Sequence, residues 1–554
     1  MQRHSQTYTG PRTEPNGKLY MFAGIVVLVI SLAFTYCQIP YGMGGSDEFY
    51  QISLARYPET APMAFLSGWL AHFWGESFGY DIFSMRILAT TLTDMGLITG
   101  ALYFAFTTRR WTYAFFLTAI CAFFMSFQLM AWHYFGWDMF SAFLVPLCLV
   151  ATLTCMRRLT YARSVIAGIC LGVAAAVRLP NAVAVILAAI AIVSVGCMRG
   201  QCRRGIICAL IAGAAAVMTY IGAVIVVYES FGAFADAVQT GFIDGESHSP
   251  GRMVWSVFYS LCRNVSRWGT VLMAVATVWW INRMRPGHKV VYYLLCAGVA
   301  VLVFMISFMN MDGSSIHLGA MFSGMFILLA FYLFMRMRAV RNSHAMLGIG
   351  VVMAWSAITF VGSNTGMVKQ LACALVPVLL AVGGTYFSRP VRAFLVVMCL
   401  ALVPVCVIQS RNYGFFDAGI KGCTAQLEHH LLQGISTTPA RAAYLEEVAH
   451  AVAVADSTGG VWISVGDDAG RFCADYLGGR RTPLRMNDWS EKLLSDNGYI
   501  TETAEWLEHA GHSTVSVIVM TPETPGESPM EKVLEAKCGV VVSRTPHVAV
   551  YRFR

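Results

Sequence analysis

Charge is what this sequence of 554 residues has least of: Asp, Glu, Lys and Arg together make up 13% of it, against about 25% in soluble domains. With 57% of residues hydrophobic, that scarcity excludes an ordinary water-soluble protein. Also missing are a GxGxxG turn, a P-loop, a DxD triplet, a CxxC pair and any zinc-type Cys/His spacing, so the compact signatures of nucleotide or structural-metal sites are absent. There is no internal repeat and no low-complexity linker. Cysteine is not scarce, at 16 residues, but most of it falls inside apolar runs, where it acts as a small hydrophobe. Cys423, Cys473 and Cys538 alone lie in the polar C-terminal part, an odd number that allows at most one internal disulfide and leaves its existence open. The formal charge of +8 does not indicate nucleic acid, because the basic residues sit in short clusters between apolar runs and not on one polar face.

What the sequence has in abundance is apolar runs long enough, or nearly so, to cross a hydrocarbon core about 30 Å thick. Thirteen are expected, at approximately 19–37, 86–106, 111–131, 138–156, 164–178, 180–198, 205–228, 267–282, 290–309, 316–335, 345–361, 367–387 and 391–409. The first follows a polar segment with Arg3, Arg12 and Lys18. It exceeds the about 7–15 apolar residues of a signal peptide and reads as an uncleaved span. Basic clusters such as Arg109/Arg110, Arg157/Arg158, Arg199/Arg203/Arg204 and Arg336/Arg338 fall on alternate loops, as the positive-inside bias requires. Both flanks of 164–198 are basic, so that stretch goes out and back as two short spans with Arg178-Leu179-Pro180-Asn181 at the outer turn.

The expected fold is therefore a multi-pass α-helical membrane protein of about 13 spans with a small C-terminal α/β extracytoplasmic domain. Its expected parts are a cytoplasmic N-terminal tail, 1–18; a transmembrane domain, 19–409, with a first outer loop at 38–85; and a soluble domain, 410–554. In the last, 460–465 and 514–520 read as strands, 502–510 and 529–537 as helices, and 540–554 as a hairpin-like pair. The basic loops and the odd span count predict an N-terminus inside and a C-terminal domain outside; the expected location is a cytoplasmic (inner) membrane.

Candidate chemistry gathers on the outer side. The long first loop carries Gly42, Gly44 and Gly45 followed by the adjacent acids Asp47 and Glu48, then an apolar 62–74 segment suited to an interfacial helix. Asp138 opens the fourth span from a short aromatic loop, where an acid near hydrocarbon is costly unless used or paired. N-capping by Asp138 is the plainer reading of that residue. Arg178 is a lone cation in an apolar hairpin, suited either to an anionic partner or to snorkelling. Lys369 is a second lone outer cation, and His317 lies beside Asp312 in another outer loop. Acids and isolated cations on one face suit sugar transfer from a lipid-linked phosphate. A carboxylate can take the acceptor hydroxyl's proton, while the departing phosphate needs positive charge more than a proton.

These features resemble the GT-C superfamily of polyprenyl-phosphate-dependent glycosyltransferases, in the branch with protein O-mannosyltransferases and the lipid A aminoarabinose transferase. The resemblance rests on Asp47-Glu48 soon after the first span, the long first outer loop, Asp138 at the second outer loop and the outer domain after a thirteenth span. It implies a catalytic role for Asp47 with Glu48 as its neighbour, a site-shaping role for Asp138, and donor-phosphate or sugar binding by Arg178, Lys369 and His317. The implied substrates are a polyprenyl-phosphate sugar and a hydroxyl acceptor on a glycan, lipid or protein, with membrane lipid as the surroundings and no nucleic acid partner. Some members hold a divalent metal; Asp47, Glu48 and Asp138 could do so, but without a DxD triplet the expectation is metal-independent chemistry. Two other readings stand beside it. A polysaccharide polymerase or O-antigen ligase would carry its largest loop late, and a transporter or flippase would place charges near the midplane on broken helices.

Overall fold

The computed structural model describes residues 17–58, 62–128, 134–136, 138–241, 265–284, 289–309, 316–358, 371–383, 389–412, 417–457, 459–479, 497–509, 514–520, 528–537 and 539–553. The chain is mostly helical and ends in a small α/β region. In chain order come α1 (Gly17–Tyr36), α2 (Ser46–Arg56), α3 (Phe65–Phe78), α4 (Ile82–Thr108), α5 (Trp111–Gln128), α6 (Asp138–Arg157), α7 (Tyr161–Val177), α8 (Val183–Met198), α9 (Cys202–Tyr228) and α10 (Phe231–Gly241). Helices Val265–Met284, Lys289–Met309, Ile316–Ala339, Ser343–Ile358, Leu371–Val382 and Arg389–Asn412 follow. Among the described residues, six helical segments are long and apolar enough to cross a membrane by length and composition: Lys18–Tyr36, Ile82–Thr108, Asp138–Arg157, Leu179–Met198, Cys202–Tyr228 and Val290–Met309.

Local signals explain several helix ends. Asp81 caps α4 by accepting from the Ser84 amide at 2.9 Å, and Thr160 caps α7 by accepting from Arg163. The expected break in 164–198 is a 3₁₀ turn, Leu179–Ala182, with Pro180 in its first turn.

Side-chain size follows the lipid rule and not the soluble one. Along most of α9, Gly205, Cys208, Ala209, Ala212 and Ala216 face inward, joined near its C-terminus by the larger Val224 and Tyr228, while Leu210, Val217 and Met218 stand exposed. Small residues let neighbouring backbones close up, and large apolar ones are left for hydrocarbon.

The basic turns that follow α4, α6 and α8 meet at one end of this body. Arg157 Nη1 donates to Thr107 Oγ1 at 2.9 Å, and Arg199 Nη1 donates to the Arg157 carbonyl at 3.1 Å. The opposite end carries the α1 C-terminus, the N-termini of α4, α6 and α8, and the short helices α2 and α3.

The C-terminal region has a two-stranded pair, β1 (Ala425–Gln426) and β2 (Ser436–Thr437), and a sheet of β3 (Val461–Gly466), β4 (Val515–Met520), β5 (Val540–Arg544) and β6 (Val548–Phe553). The sheet order is β3-β4-β6-β5. β3 and β4 run parallel, whereas β4 and β6, and β5 and β6, are antiparallel. The strands and the helices Asn497–His509 and Pro529–Ala536 sit close to where the sequence places them. Two further helices, Pro439–Asp456 and Asp468–Gly478, lie where no element was expected. Both carry readable starts: Thr438 and Asp467 cap them through side-chain oxygens, and Pro439 opens the first. Cys423 and Cys473 are free and buried, and Cys538 lies outside the described residues.

Candidate active site

The chain leaves α1 and turns sharply before α2. Gly42 and Gly45 adopt φ of 80° and 67°, values open to glycine and strained for other residues. A Cβ on Gly44 would stand 2.7 Å from Glu48 Oε2 and 2.9 Å from Tyr134 Cδ2, so the glycine-rich run is needed for close approach as well as for direction.

That approach seats Glu48 on Arg86, near the start of α4. Arg86 Nε and Nη2 donate to the two Glu48 oxygens at 2.7 Å each, a bidentate pair with side chains 0% and 1% exposed. The remaining valences are filled. Arg86 Nη1 and Nη2 donate to the carbonyls of Ile39 and Gly42 at 2.8 and 2.9 Å, while Glu48 accepts from the Gly44 and Phe135 amides at 3.1 and 3.3 Å. The guanidinium also lies 4.5 Å from the Tyr134 ring centre. Burial raises the Tyr134 phenol's pKa, and the nearby Arg86 charge opposes this only in part.

A second ion pair lies one short step along the chain. Gly136 faces α2, where a Cβ would meet Gln51 Oε1 at 3.0 Å, and two residues later Asp138 begins α6. Asp138 Oδ1 is 3.2 Å from Arg178 Nε, with side chains 23% and 11% exposed. Arg178 follows α7 in extended backbone. First-loop residues hold its turn on both sides: Leu179 donates its amide to the Met63 carbonyl at 2.9 Å, and Ser67 Oγ donates to the Val177 carbonyl at 2.8 Å. Next to Arg178, buried Asn181 donates through Nδ2 to Ser141 Oγ and to the Ala174 carbonyl, both at 2.9 Å.

The structure thus brings Glu48, Asp138 and Arg178 to one end of the body, with the first outer loop wrapped over the Arg178 turn. Asp47 is the second residue of α2, adjacent to Glu48, and its side chain lies outside the described residues. Lys369 and Asp312 also lie outside them, as does the side chain of His317 at the start of helix Ile316–Ala339. Among the described residues no group of three His, Cys, Asp or Glu side chains could hold a metal ion; both oxygens of Glu48 are taken by Arg86.

Sequence reasoning passed over Arg86. Its signal was the one that marked Arg178, an isolated cation at the end of an apolar run away from the basic clusters. It also passed over the grip of the C-terminal region on the first loop. Asp417 accepts from the Met43 amide at 3.1 Å and from the Thr437 hydroxyl. Gly42 and Ser436 bridge the two segments through Gly42 N to Ser436 O at 2.8 Å and Ser436 N to Pro40 O at 2.6 Å. At the far end of α2, Arg56 donates to the Tyr476 carbonyl at 2.9 Å, and Tyr476 Oη donates to the carbonyls of Tyr80 and Leu431.

No protein-family model matches the chain, and no curated protein matches it in sequence. Solved structures match it at low identity and with TM-scores below 0.5. ArnT from Cupriavidus metallidurans bound to undecaprenyl phosphate is 14% identical, with a TM-score of 0.43 over 97% of this chain and 98% of that one. The Archaeoglobus fulgidus oligosaccharyltransferase AglB in complex with an inhibitory peptide and a dolichol-phosphate is 12% identical, with a TM-score of 0.48 over 91% and 70%. The A. fulgidus oligosaccharyltransferase complex with zinc and sulfate is 13% identical, with a TM-score of 0.48 over 89% and 67%.

Proposed function

We propose that this protein is an integral-membrane glycosyltransferase. It moves a sugar from a polyprenyl-phosphate donor to a hydroxyl acceptor at the outer face of a cytoplasmic membrane, with inversion at the anomeric carbon. The transmembrane domain, 19–409, crosses the bilayer thirteen times, with residues 1–18 inside and the α/β domain, 410–554, outside. The observation that carries the reading is the Asp138–Arg178 pair, 3.2 Å apart and partly exposed, at the end of the body where the acid-bearing first loop folds over it.

Asp47 is the general base. It takes the acceptor hydroxyl's proton as that oxygen bonds to the anomeric carbon, and polyprenyl phosphate departs with the electrons of the broken C–O bond. Arg178, oriented by Asp138, and Lys369 supply positive charge to that phosphate. His317 contacts the donor sugar. Glu48 is a positioning residue that fixes the first turn of α2 through Arg86 and leaves the chemistry to its neighbour.

The test is sugar release from a synthetic polyprenyl-phosphate sugar by purified protein in lipid nanodiscs. Asp47→Asn should lower turnover about 100- to 10,000-fold at an unchanged unfolding temperature. Unchanged turnover would remove the proposed base.

A further inference from the structure

The turn between α8 and α9 reads Cys197-Met198-Arg199-Gly200-Gln201-Cys202, and its backbone forces the two thiols together. Gly200 takes φ of 69°. The Gly200 amide donates to the Cys197 carbonyl at 3.0 Å and the Gln201 amide to the Gly196 carbonyl at 2.8 Å, closing the helix end in a Schellman-like turn. Just inside it the two helices touch backbone to backbone: a Cβ on Gly196 would stand 2.7 Å from the Gly205 Cα. The outcome is a Cys197–Cys202 Sγ–Sγ separation of 2.7 Å, with both residues exposed. Most other described cysteines are buried and inert, as Cys148 and Cys208 are.

We propose that Cys197 and Cys202 are a reversible dithiol–disulfide site at the end of the α8–α9 hairpin remote from the Arg178 turn. α8 has 16 residues, which at about 1.5 Å each sets the pair roughly 24 Å from the candidate active site. Two features favour the reaction. The sulfurs stand close to the bonded separation of about 2.05 Å, and both residues are exposed to a reagent. The oxidant is a small-molecule disulfide. One cysteine thiolate attacks it, expelling one reagent thiol and forming a mixed disulfide. The second thiolate then attacks the protein sulfur and expels the other reagent thiol. Two protein thiols are oxidised to one S–S bond, and one reagent disulfide is reduced to two thiols.

The experiment is peptide mapping of the full chain in nanodiscs after exposure to oxidised or reduced glutathione, followed by alkylation. The expected product under oxidised glutathione is Cys197 joined to Cys202, two hydrogens lighter and resistant to alkylation, and restored to two alkylatable thiols by reductant. In Cys197→Ser, Cys202 should carry glutathione or remain alkylatable instead. Equal alkylation of both cysteines under the two conditions, or glutathione held separately on each in the wild type, would overturn the proposal.

Discussion

Two acid–arginine pairs stand within a few residues of each other at one end of the helical body, and they differ in nearly every physical respect. Glu48–Arg86 is bidentate and fully enclosed, with the remaining hydrogen-bonding capacity spent on backbone amides and carbonyls of the same turn. Asp138–Arg178 is partly open, with Nε of the arginine 3.2 Å from one carboxylate oxygen. A fully buried charge that loses its partner is left stranded in low dielectric, and the penalty falls as the pair becomes less enclosed. The first pair therefore belongs to architecture, setting where the acid-bearing loop sits. The second is less enclosed, with the Asp138 and Arg178 side chains 23% and 11% exposed, and in the proposed function its cation serves the donor phosphate.

The enclosed pair should be the more sensitive of the two to substitution. Arg86→Met leaves the Glu48 carboxylate buried without its cation and should destabilise the protein by about 3–5 kcal/mol, read as a large fall in unfolding temperature by intrinsic fluorescence. Replacing both partners with apolar residues should recover much of that loss. A tolerated Arg86→Met would make the enclosed pair dispensable and erase the distinction. At the open pair the expected effect moves from stability to binding. Arg178→Gln should raise the donor KM about tenfold, which corresponds to about 1.4 kcal/mol. Equal donor KM in wild type and variant would detach Arg178 from the donor.

The C-terminal region sharpens the picture, because it grips the same loop from the other side. Asp417→Asn weakens the charge-assisted hold on the Met43 amide, just before the acidic pair. Turnover should fall several-fold at an unchanged donor KM, and an altered KM with normal turnover would count against a positioning role. The smallest effect is a pH dependence in the same region. Burial and the neighbouring His430 lower the His429 pKa, so the unfolded chain binds the proton more readily. His429 therefore costs stability as pH falls below about 6.5, the ordinary histidine value. His429→Gln should flatten that acid limb slightly, and an identical limb in the variant would place the titration elsewhere.

Much of the helical body was legible because span length and basic clustering are strong, local signals; the break at Leu179–Ala182 followed from charge on both flanks and from Pro180. The glycines before α2 were legible for a related reason, since only a sharp reversal calls for Gly42 and Gly45 so close together. Partnership was not legible. Nothing in Asp47-Glu48 as a string says that Glu48 has Arg86 across from it, because the contact joins residues 38 apart. The Asp417–Met43 contact spans 374 residues, beyond any pattern of periodicity. Asp138 and Arg178 were each singled out alone, as acid and as cation, and folding made them partners. The helix Pro439–Asp456 was passed over although Thr438 and Pro439 mark its start.

The central claim assigns opposite duties to two neighbouring carboxylates, and its most direct measurement sets Asp47→Asn beside Glu48→Gln in one preparation, recording sugar release and unfolding temperature for each. The account predicts a stable but inactive protein for Asp47→Asn and a markedly less stable one for Glu48→Gln. A stable, inactive Glu48→Gln together with an active Asp47→Asn would reverse the two duties and contradict it.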